Sequence, residues 1–474
     1  MSAAPRTSAV VLAAGAGSRF GGDKLMATVA GRPILQHVLD RLATAGLGDV
    51  VVVLGADAER IEAAIEWRTE RRIRNPDPAR GLSSSLREGI AVLDPTVERA
   101  LIMLGDQPMV PTAVIESLLA SPLDAARPVV VPVYADDRGR NPVLLERSAF
   151  DVVTEASGDR GLGPWIATHP ERIRELAVEG ANPDVDTRDD LVGLLEAAWA
   201  DRVRANKEQV DRFREVPDAT DFYAPVSAVF RADPTRTDEP ALTKLLGLVE
   251  PGDTWLDIGA GAGRYALPIA RAVAGSGGRV IALDPSAGML EALGEVAREY
   301  DISDFETVHA RWPPEDGDVS RYRADVAMIA HVSYDVAMIG PFVGAMEAAA
   351  RRCCVAMLME RQPSSIADVF WPAVWGEARI SLPALPEFVE LLRARGRRLE
   401  VTWTERDPRR FDSRADLTAF LRRQLWVAEG TAADRRFLDA LEPLVVVDAD
   451  GRASLRGQRP QAIGIVTWEP GAGS

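Results

Sequence analysis

The sequence predicts an α/β fold with two doubly wound domains in tandem. Across most of the 474 residues, short apolar runs rich in β-branched residues alternate with amphipathic stretches at helical spacing. This alternation is typical of parallel sheets covered by helices. Two glycine-rich loops, at residues 15–22 and 259–263, each follow an apolar run directly. We therefore expect one domain in 1–200, a helical linker and lead-in over 201–250, and a second domain in 251–474.

The first half has four predicted strands with helical stretches between them. The stretch Ile34–Ala45 places apolar residues at 34, 35, 38, 39 and 42, which form one face of a helix. The pattern stops after Leu191–Ala200, where a polar and charge-rich segment begins. The four predicted strands are Ala9–Ala14, Val50–Leu54, Ala100–Leu104 and Val129–Val133.

The second half contains six apolar runs of strand length. Residues 361–398 are rich in tryptophan and proline and are predicted to form an insertion or a lid. Within them, Trp371 and Trp375 could line an acceptor pocket or simply pack against neighbouring side chains. The six predicted strands are Thr254–Ile258, Arg279–Asp284, Ala324–Ala330, Cys353–Met359, Glu400–Glu405 and Ile463–Trp468.

Composition narrows the functional classes. The chain has 55 Lys and Arg against 71 Asp and Glu, a net charge of −16. A chain this acidic repels a phosphate backbone, so general nucleic-acid binding is disfavoured. The adjacent Cys353 and Cys354 cannot form a disulfide framework, and the four histidines are scattered. Neither a convincing signal peptide nor a long apolar span is evident, so we expect a cytoplasmic protein without a membrane segment.

The first glycine loop has the composition of a triphosphate site. A predicted strand leads directly into Gly15, Gly17, Gly21 and Gly22, with basic residues interleaved. Glycine lets the backbone approach phosphate oxygens closely and direct N–H groups at them. Arg19 and Lys24 would neutralise phosphate charge. The P-loop pattern GxxxxGK[ST] is absent from this loop.

This loop resembles the signature L-x-x-G-x-G-x-R-(x)-K of nucleotidyltransferases and, more narrowly, the molybdenum cofactor nucleotidyltransferase family. The resemblance covers about residues 6–198, and it implies a nucleotidyltransferase-type Rossmann-like sheet. Gly163 departs from it, because the family usually has an arginine two residues after the glycine that Gly161 matches. Five further segments carry the resemblance: Gly81–Leu86, Leu104–Pro108, Arg140–Leu144, Ser157–Gly161 and Asp184–Leu191.

The resemblance implies Mg²⁺-dependent transfer of a nucleotidyl group to a phosphorylated acceptor such as molybdopterin, with release of pyrophosphate. Arg19, Lys24 and Asp106 are the candidate catalytic residues. Asp106 follows an apolar run, at the edge where α/β sheets bind ligands, and its carboxylate suits Mg²⁺. Asp186, matched through the last segment, is the second candidate metal ligand. Asp106 could instead belong to a strand-end turn or cap, and Asp186 could cap the following helix.

The nucleotide is predicted to be CTP. The Ala-Ala-Gly form of the loop resembles the cytidylyl branch of the family, and a methyl group at Ala14 would narrow the space beside the base. A sugar phosphate or another phosphorylated acceptor remains an alternative to molybdopterin, and a molybdoenzyme or cofactor-insertion protein is a candidate partner. The candidate nucleotide-binding residues are Leu12, Ala13, Ala14, Gly15, Gly17 and the serines Ser83, Ser84 and Ser85, whose hydroxyls could bind base edges.

The second glycine loop is followed by a strand that ends in an acid. Asp257 precedes Gly259, Gly261 and Gly263, and Asp284 lies 21 residues beyond the last of these glycines. An acidic residue at the end of the second strand can accept hydrogen bonds from ribose hydroxyls. By itself, this layout fits both dinucleotide and S-adenosylmethionine sites.

The residues around this loop resemble the class I S-adenosylmethionine-dependent methyltransferases over about residues 245–360. Asp257–Gly263 resembles their first motif, and Leu283–Leu290 resembles their second-strand motif. The resemblance implies a seven-stranded Rossmann-like sheet with an antiparallel last strand, and S-adenosylmethionine held by Asp257, the three glycines, Asp284 and Met289. Met289 could instead be a core residue.

His331, at the end of a predicted strand, is a candidate base for methyl transfer, or else an ordinary loop or cap histidine. Together the two resemblances imply a bifunctional nucleotidyltransferase and methyltransferase whose methyl acceptor is unknown. The alternative is a nucleotidyltransferase for another phosphorylated acceptor. In that alternative, the second domain is a non-catalytic module that binds S-adenosylmethionine or a dinucleotide.

Overall fold

The computed structural model describes residues 5–15, 17–135, 139–180, 182, 184–217 and 230–471. Backbone contacts divide the chain into two units, Met1–Gly193 and Leu194–Ser474. Each unit is built on one seven-stranded sheet that carries helices. The predicted class, two doubly wound α/β domains in tandem, is therefore confirmed.

The first sheet is parallel except for one strand. Its order is β5-β4-β1-β6-β8-β7-β9, and β8 runs antiparallel between β6 and β7. Strands β2 and β3 form a separate two-stranded ribbon. The strands are β1 (Thr7–Ala13), β2 (Thr28–Val29), β3 (Arg32–Pro33), β4 (Val50–Leu54), β5 (Arg71–Arg74), β6 (Arg99–Leu104), β7 (Val129–Val133), β8 (Val143–Glu146) and β9 (Ile173–Ala177).

Alternating side chains of β1 pack into two hydrophobic cores, one on each face of this sheet. Val11 packs in a core with Leu39 of α1, whereas Val10 packs on the other face with Leu86 of α3. A doubly wound sheet requires strands that are apolar on both faces, and β1 and β4 meet that requirement. The helices are α1 (Ile34–Thr44), α2 (Ala58–Ala64), α3 (Leu82–Ala91), α4 (Thr112–Ala120), α5 (Gly163–Thr168) and α6 (Arg188–Phe213), the last of which continues into the second unit.

The second sheet has the order β12-β11-β10-β13-β14-β18-β15. Strand β18 is antiparallel to both β14 and β15, as expected for the last strand. Two further strands, β16 and β17, form a separate antiparallel pair, and Ala453 of β17 also makes a bridge with Phe411. The strands are β10 (Thr254–Ile258), β11 (Arg279–Asp284), β12 (Phe305–His309), β13 (Ala324–Ala330), β14 (Ala350–Met359), β15 (Leu399–Arg406), β16 (Val445–Val447), β17 (Ala453–Leu455) and β18 (Gln461–Trp468).

The second unit also carries a helical layer with its own apolar core. Phe370, Trp371 and Phe437 are almost fully buried in it. None of the described helices is both long and apolar enough to cross a membrane. The helices of this unit are α7 (Pro240–Leu246), α8 (Ala266–Val273), α9 (Ala287–Glu299), α10 (Ile339–Ala349), α11 (Trp371–Trp375), α12 (Leu385–Ala394), α13 (Arg414–Gln424) and α14 (Ala432–Leu441).

The segment 361–398, expected to be one insertion or lid, has two different parts. Its α12 is the crossover helix between β14 and β15, and Leu385 packs against Gly464 of the sheet. Its α11 belongs to the helical layer, where Trp371 is buried and Trp375 Nε1 donates to Leu425 O at 3.2 Å. The two tryptophans therefore pack within the protein.

Helix α6 passes through residue 200, where the sequence analysis puts a domain boundary. In the expected linker, the structure has the end of α6 and the short α7, and residues 218–229 lie outside the described residues. The sequence analysis missed β5 and β12, whose side chains are mostly solvated and show no apolar run. It also missed β8 and β9 of the first sheet, which are only four and five residues long.

Two helical glycines in the first unit provide a matched test of its packing. An added Cβ at Gly89 in α3 would overlap Val10 Cγ1 of β1 and lie 3.1 Å from Val53 Cγ2, whereas one at Gly193 in α6 meets nothing within 4 Å. We expect Gly89→Ala to lower the free energy of unfolding by about 1–3 kcal/mol through overpacking. Gly193→Ala should raise it by about 0.5–1 kcal/mol through helix propensity.

Denaturant titration of the first unit's unfolding transition, followed by circular dichroism, measures both changes. Equal effects of the two substitutions would contradict the close approach of α3 to β1.

Candidate functional site

The first glycine loop is a tight turn with an open outer side. Gly17, Gly21 and Gly22 have φ values of +56°, +87° and +92°, a region that L side chains rarely adopt. The amides of Gly21 and Gly22 donate to Gly17 O at 3.1 and 3.2 Å. An added Cβ at Gly15, Gly21 or Gly22 would meet nothing within 4 Å. The loop backbone is therefore accessible to a ligand.

Lys24 joins the candidate catalytic and metal-binding residues at one point. Its Nζ donates to Asp106 Oδ2 at 2.6 Å and to Asp186 Oδ1 at 2.8 Å. Arg19 Nη2 lies 3.0 Å from Asp186 Oδ2. Lys24 is 9% exposed, whereas the Arg19 side chain is largely in solvent. The fold thus brings together four residues that span 167 positions of the sequence.

The sheet fixes the position of Asp106. Strands β1 and β6 are parallel neighbours, and Gly105 N donates to Leu12 O at 2.9 Å just beyond the end of β6. A Cβ at Gly105 would lie 3.2 Å from Ala13 Cβ, so glycine allows the two strand ends to approach each other. Asp106 follows immediately and turns its carboxylate toward the glycine loop.

The helix cap that Asp186 might have provided belongs to Thr187. Thr187 Oγ1 accepts a hydrogen bond from Asp190 N at 3.1 Å, and Asp190 Oδ2 accepts one from Thr187 N at 2.7 Å. This reciprocal capping box satisfies the first turn of α6. The carboxylate of Asp186 is consequently directed to Lys24 and Arg19.

Charge and burial set the protonation of this cluster. Burial alone would lower the pKa of Lys24, but the charges and hydrogen bonds of Asp106 and Asp186 outweigh it and hold that pKa above its ordinary value. Partial burial raises the pKa of Asp184, and the charges of Asp106 and Asp186 add to that rise. Gln107 Nε2 donates to Asp184 Oδ1 at 2.5 Å. Sequence reasoning did not single out Asp184 and Gln107, although both lie in the segments that carry the resemblance.

The two carboxylates fit a small divalent cation. In the part of the chain that the structure describes, no group of three or more His, Cys, Asp and Glu side chains is arranged to hold a metal. Asp106 and Asp186 already direct one oxygen each at a single cationic atom. Two carboxylates, completed by water and substrate phosphates, are the donor set that Mg²⁺ prefers.

Most of the residues predicted to bind the nucleotide are buried, in β1 or at the start of α3. Leu12 and Ala13 are buried in β1, and Ala14 is 9% exposed. The serines at the start of α3 are also buried, and Asn75 Nδ2 donates to Ser84 Oγ at 2.7 Å and to Ser85 Oγ at 2.9 Å. Ser83 is 1% exposed. A base that contacts the Ser84 or Ser85 hydroxyl would bind a group that already accepts a hydrogen bond from Asn75.

In the second unit, the three loop glycines have different functions. Gly259, Gly261 and Gly263 have φ values of +76°, +54° and +81°. A Cβ at Gly259 would lie 2.5 Å from Val332 Cγ2, and one at Gly263 would lie 2.8 Å from Leu293 Cγ. At Gly261 it would meet nothing within 4 Å. The outer two glycines permit close packing, while the middle one leaves the loop open.

Asp284 organises this loop. Its Oδ2 accepts a hydrogen bond from Gly261 N and its Oδ1 one from Ser286 N, both at 2.8 Å. Ser286 in turn caps α9 by accepting from Met289 N at 3.1 Å. Met289 is 4% exposed and packs against Ala262 of the loop, which supports the loop from its inner side.

Asp257 is a fully buried acid beneath the same loop. It is 2% exposed, and its Oδ1 has no hydrogen-bond partner among the described residues. Burial, reinforced by the negative charge of Asp284, raises the pKa of Asp257 to about 7. Near neutral pH this carboxyl therefore changes its charge readily.

His331 follows β13 in a strained conformation. His331 and Ser333 have φ values of +58° and +89°, which cost free energy for residues other than glycine and which cluster at functional sites. Within the described residues, neither ring nitrogen of His331 has a hydrogen-bond partner. Burial, followed by the charges of Arg406 and Arg264, lowers the pKa of His331 to about 4. The imidazole is therefore neutral at physiological pH.

A charged clamp that sequence reasoning missed lies beside His331. Glu239 Oε2 pairs with Arg264 Nη2 at 2.7 Å and with Arg236 Nε at 2.8 Å. Tyr265 Oη donates to Glu239 Oε1 at 2.7 Å, and its ring centroid lies 6.4 Å from that of His331. Arg264 and Tyr265 directly follow the glycine loop, which is the only sequence signal that could have drawn attention to them.

Comparison with known proteins agrees with this division of the chain. The family described as MobA-like NTP transferase domain matches residues 9–173. The family described as methyltransferase domain matches residues 256–349. Nicotine blue oxidoreductase from Paenarthrobacter nicotinovorans is 30% identical over 203 residues, which are 40% of this chain and 97% of that protein.

Two other proteins are similar to part of this chain. The bifunctional protein GlmU from Desulfitobacterium hafniense (strain Y51) is 30% identical over 155 residues, 32% of this chain and 34% of that protein. The chain thus spans about a third of the length of the GlmU proteins that it matches. The crystal structure of Rv0371c from Mycobacterium tuberculosis H37Rv is 32% identical, with a TM-score of 0.37, over 41% of this chain and 99% of that one.

The match of residues 9–173 lies wholly within the first unit. Nearly the whole of one relative is 30% identical to this chain. The second family match lies wholly within the second unit. The chain therefore belongs, through its first unit, to the MobA-like NTP transferases, and it joins this nucleotidyltransferase domain to a methyltransferase domain.

Proposed function

We propose that the first unit transfers CMP from CTP to a phosphorylated acceptor of the molybdopterin class, with release of pyrophosphate. The observation that carries this proposal is the convergence of Lys24, Asp106 and Asp186 beside an open glycine loop. Such a site combines cations, carboxylates and accessible backbone amides, which together suit a triphosphate with its metal ion. We further propose the domain division 1–200, 201–250 and 251–474.

In this reaction a phosphate oxygen of the acceptor forms a bond to the α-phosphorus of CTP. The bond from that phosphorus to the bridging oxygen breaks, and the electron pair leaves with pyrophosphate. Asp106 and Asp186 would hold Mg²⁺, which supplies charge neutralisation on the triphosphate when it is bound. Arg19 and Lys24 neutralise phosphate charge and orient the substrate. An acceptor phosphate is already anionic, so no side chain has to remove a proton.

The name of one relative suggests an alternative activity for the first unit. Nicotine blue oxidoreductase is covered over 97% of its length, so an oxidoreductase activity is a second candidate. The interleaved Arg19 and Lys24 and the paired carboxylates support a triphosphate rather than a hydride donor. A sugar phosphate is the alternative acceptor for nucleotidyl transfer.

For the second unit we propose methylation of a small molecule by S-adenosylmethionine. When bound, this cofactor supplies a methyl group whose carbon–sulfur bond breaks, with the electron pair returning to sulfur, as the acceptor's lone pair forms the new bond. Asp284 would receive the ribose hydroxyls, and Gly261 leaves room for the methionyl part. The neutral His331 would accept the acceptor's proton through a ring nitrogen. A module that binds S-adenosylmethionine or a dinucleotide without catalysis is the alternative.

The two sites should lose function independently. We expect Asp106→Asn to lower pyrophosphate release from CTP, Mg²⁺ and molybdopterin by about 100-fold, because one of two carboxylate ligands is lost. Calorimetry should show unchanged S-adenosylmethionine binding. Asp284→Asn should weaken S-adenosylmethionine binding and leave pyrophosphate release unchanged. Asp189→Asn, an exposed acid near the first site, serves as the matched control and should leave both readouts unchanged. Loss of both activities in either site variant would contradict two separate sites.

Nucleotide choice should depend on the methyl group of Ala14. We expect CTP to be preferred over GTP by about tenfold or more in pyrophosphate release, a difference that one methyl group in a pocket can produce. Ala14→Gly should reduce this preference. Equal or faster release with GTP by the unmodified protein would contradict the assignment. Oxidation of NADH without pyrophosphate release would favour the oxidoreductase reading.

The buried acid predicts a pH dependence of stability. Because the folded-state pKa of Asp257 is raised from 3.8 to about 7, its protonated form stabilises the fold at low pH, and this contribution is lost as the pH rises toward 7. Asp257→Asn removes the titration. We therefore expect the stability of the variant relative to the unmodified protein to increase by on the order of 3 kcal/mol between pH 4 and pH 8.

Denaturant titrations of both proteins across this pH range measure the difference. A stability difference that does not change with pH would show that Asp257 titrates at its ordinary pKa.

A further inference from the structure

Buried polar atoms without hydrogen-bond partners gather at one edge of the second sheet. Folded proteins satisfy nearly all such atoms, so a cluster of exceptions indicates a place where a polar ligand completes the hydrogen bonding. Among the described residues, the atoms at this edge are Asp257 Oδ1, Arg264 Nε, both ring nitrogens of His331, Ser333 Oγ, Gln362 Nε2 and Thr404 Oγ1.

The topology places these atoms along one edge of the sheet. Strands β10, β13 and β14 are parallel. Strand β18 is antiparallel to β14 and to β15, so β15 runs in the same direction as β14. The carboxyl ends of all four parallel strands therefore lie at one edge of the sheet. Asp257, His331 and Thr404 lie at or near these ends, and Gln362 follows β14.

Two arginines lie at or just beyond the carboxyl end of β15. Arg406 ends β15, and Arg409 follows it with its guanidinium 4.5 Å from the ring centroid of Phe420 and 5.0 Å from that of Phe411. The charged groups that act on Arg409 are Arg406 and Arg264. Arg406 is exposed and has Glu405 and Asp407 as its neighbours in the sequence. Burial, followed by the positive charges of Arg406 and Arg264, lowers the pKa of Arg409. The half-buried guanidinium therefore stands among other cations.

The guanidinium of Arg409 is partly withdrawn from water, and such a charge costs free energy unless an opposite charge approaches it. Arg406 is exposed at the rim of the same edge. Glu239, whose charge acts on His331, already pairs with Arg236 and Arg264. The chain as a whole has a net charge of −16 and repels anions. In such a protein an anionic ligand needs particular cationic side chains to hold it.

We propose that the acceptor methylated by the second unit is a small organic anion, whose charge is held by Arg406 and Arg409 while its polar body faces His331 and Ser333. This inference rests on the proposed methyltransferase function, and it specifies the chemical class of the unknown acceptor. The anion can be a carboxylate or a phosphate ester, since both accept paired hydrogen bonds from a guanidinium.

Probe ligands of equal size and different charge test this proposal. The full-length protein is titrated by calorimetry with benzoate, phenyl phosphate, benzyl alcohol and benzylamine, with and without S-adenosylhomocysteine. We expect at least one of the two anions to bind about tenfold more tightly than benzyl alcohol, and benzylamine to bind no more tightly than benzyl alcohol. Whichever anion binds more tightly distinguishes a carboxylate from a phosphate ester.

Variants at the two ends of β15 localise the binding. Arg406→Gln and Arg409→Gln should each weaken binding of the anion by about tenfold and leave the affinity for S-adenosylhomocysteine unchanged. Arg398→Gln is the matched control, because Arg398 is an exposed arginine next to the opposite end of the same strand. It should change neither affinity. Because Arg409 packs on two aromatic rings, Arg406→Gln is the decisive variant if Arg409→Gln unfolds.

The outcomes separate this inference from the proposed function. Equal affinity for benzyl alcohol and both anions, absence of binding by every probe, or undiminished anion binding in Arg406→Gln would overturn the anionic acceptor. If S-adenosylhomocysteine does not bind, the proposed methyltransferase function fails. Anion binding that is lost in Arg406→Gln would still establish the cationic pocket in that case.

Discussion

The ammonium group of Lys24 between Asp106 and Asp186 is the interaction on which the first site depends. It joins the glycine loop, the end of β6 and the segment before α6, which are far apart in sequence. Two carboxylates this close repel each other unless a cation lies between them. Lys24 meets that need in the absence of ligand, and its raised pKa keeps it charged. The carboxylates are therefore already converged before a metal ion or a triphosphate arrives.

The second unit uses the same sheet geometry with a different balance of charge. Here one oxygen of Asp284 accepts a hydrogen bond from the loop and the other accepts one from Ser286 at the start of α9, so that a single carboxylate fixes both sides of the site. Asp257 lies beneath the loop with no cation beside it, and burial raises its pKa accordingly. The first site holds its acids together with a lysine, whereas in the second site burial raises the pKa of one acid to about 7.

The helical layer of the second unit contacts Arg409, one of the two arginines proposed to hold the acceptor. Phe411 is buried in the core of this layer and Phe420 packs against it, and both rings support Arg409 at the end of the segment that leaves β15. Trp371, which the sequence suggested might line a pocket, is part of the same core. The layer thus supports a cationic group at the sheet edge rather than covering the site with tryptophans.

The sequence alone determined the two α/β halves, most of their central strands and both glycine loops, because buried strands are continuous apolar runs and tight phosphate-type turns need glycine. It also indicated Arg19, Lys24, Asp106 and Asp186 as one group through their motifs. Only the tertiary structure decided that Thr187 caps α6 and leaves Asp186 free, and that 361–398 divides between a crossover helix and a separate core. Likewise, only folding brings Arg406 near His331, because strand order at the sheet edge places them there and no local pattern encodes it.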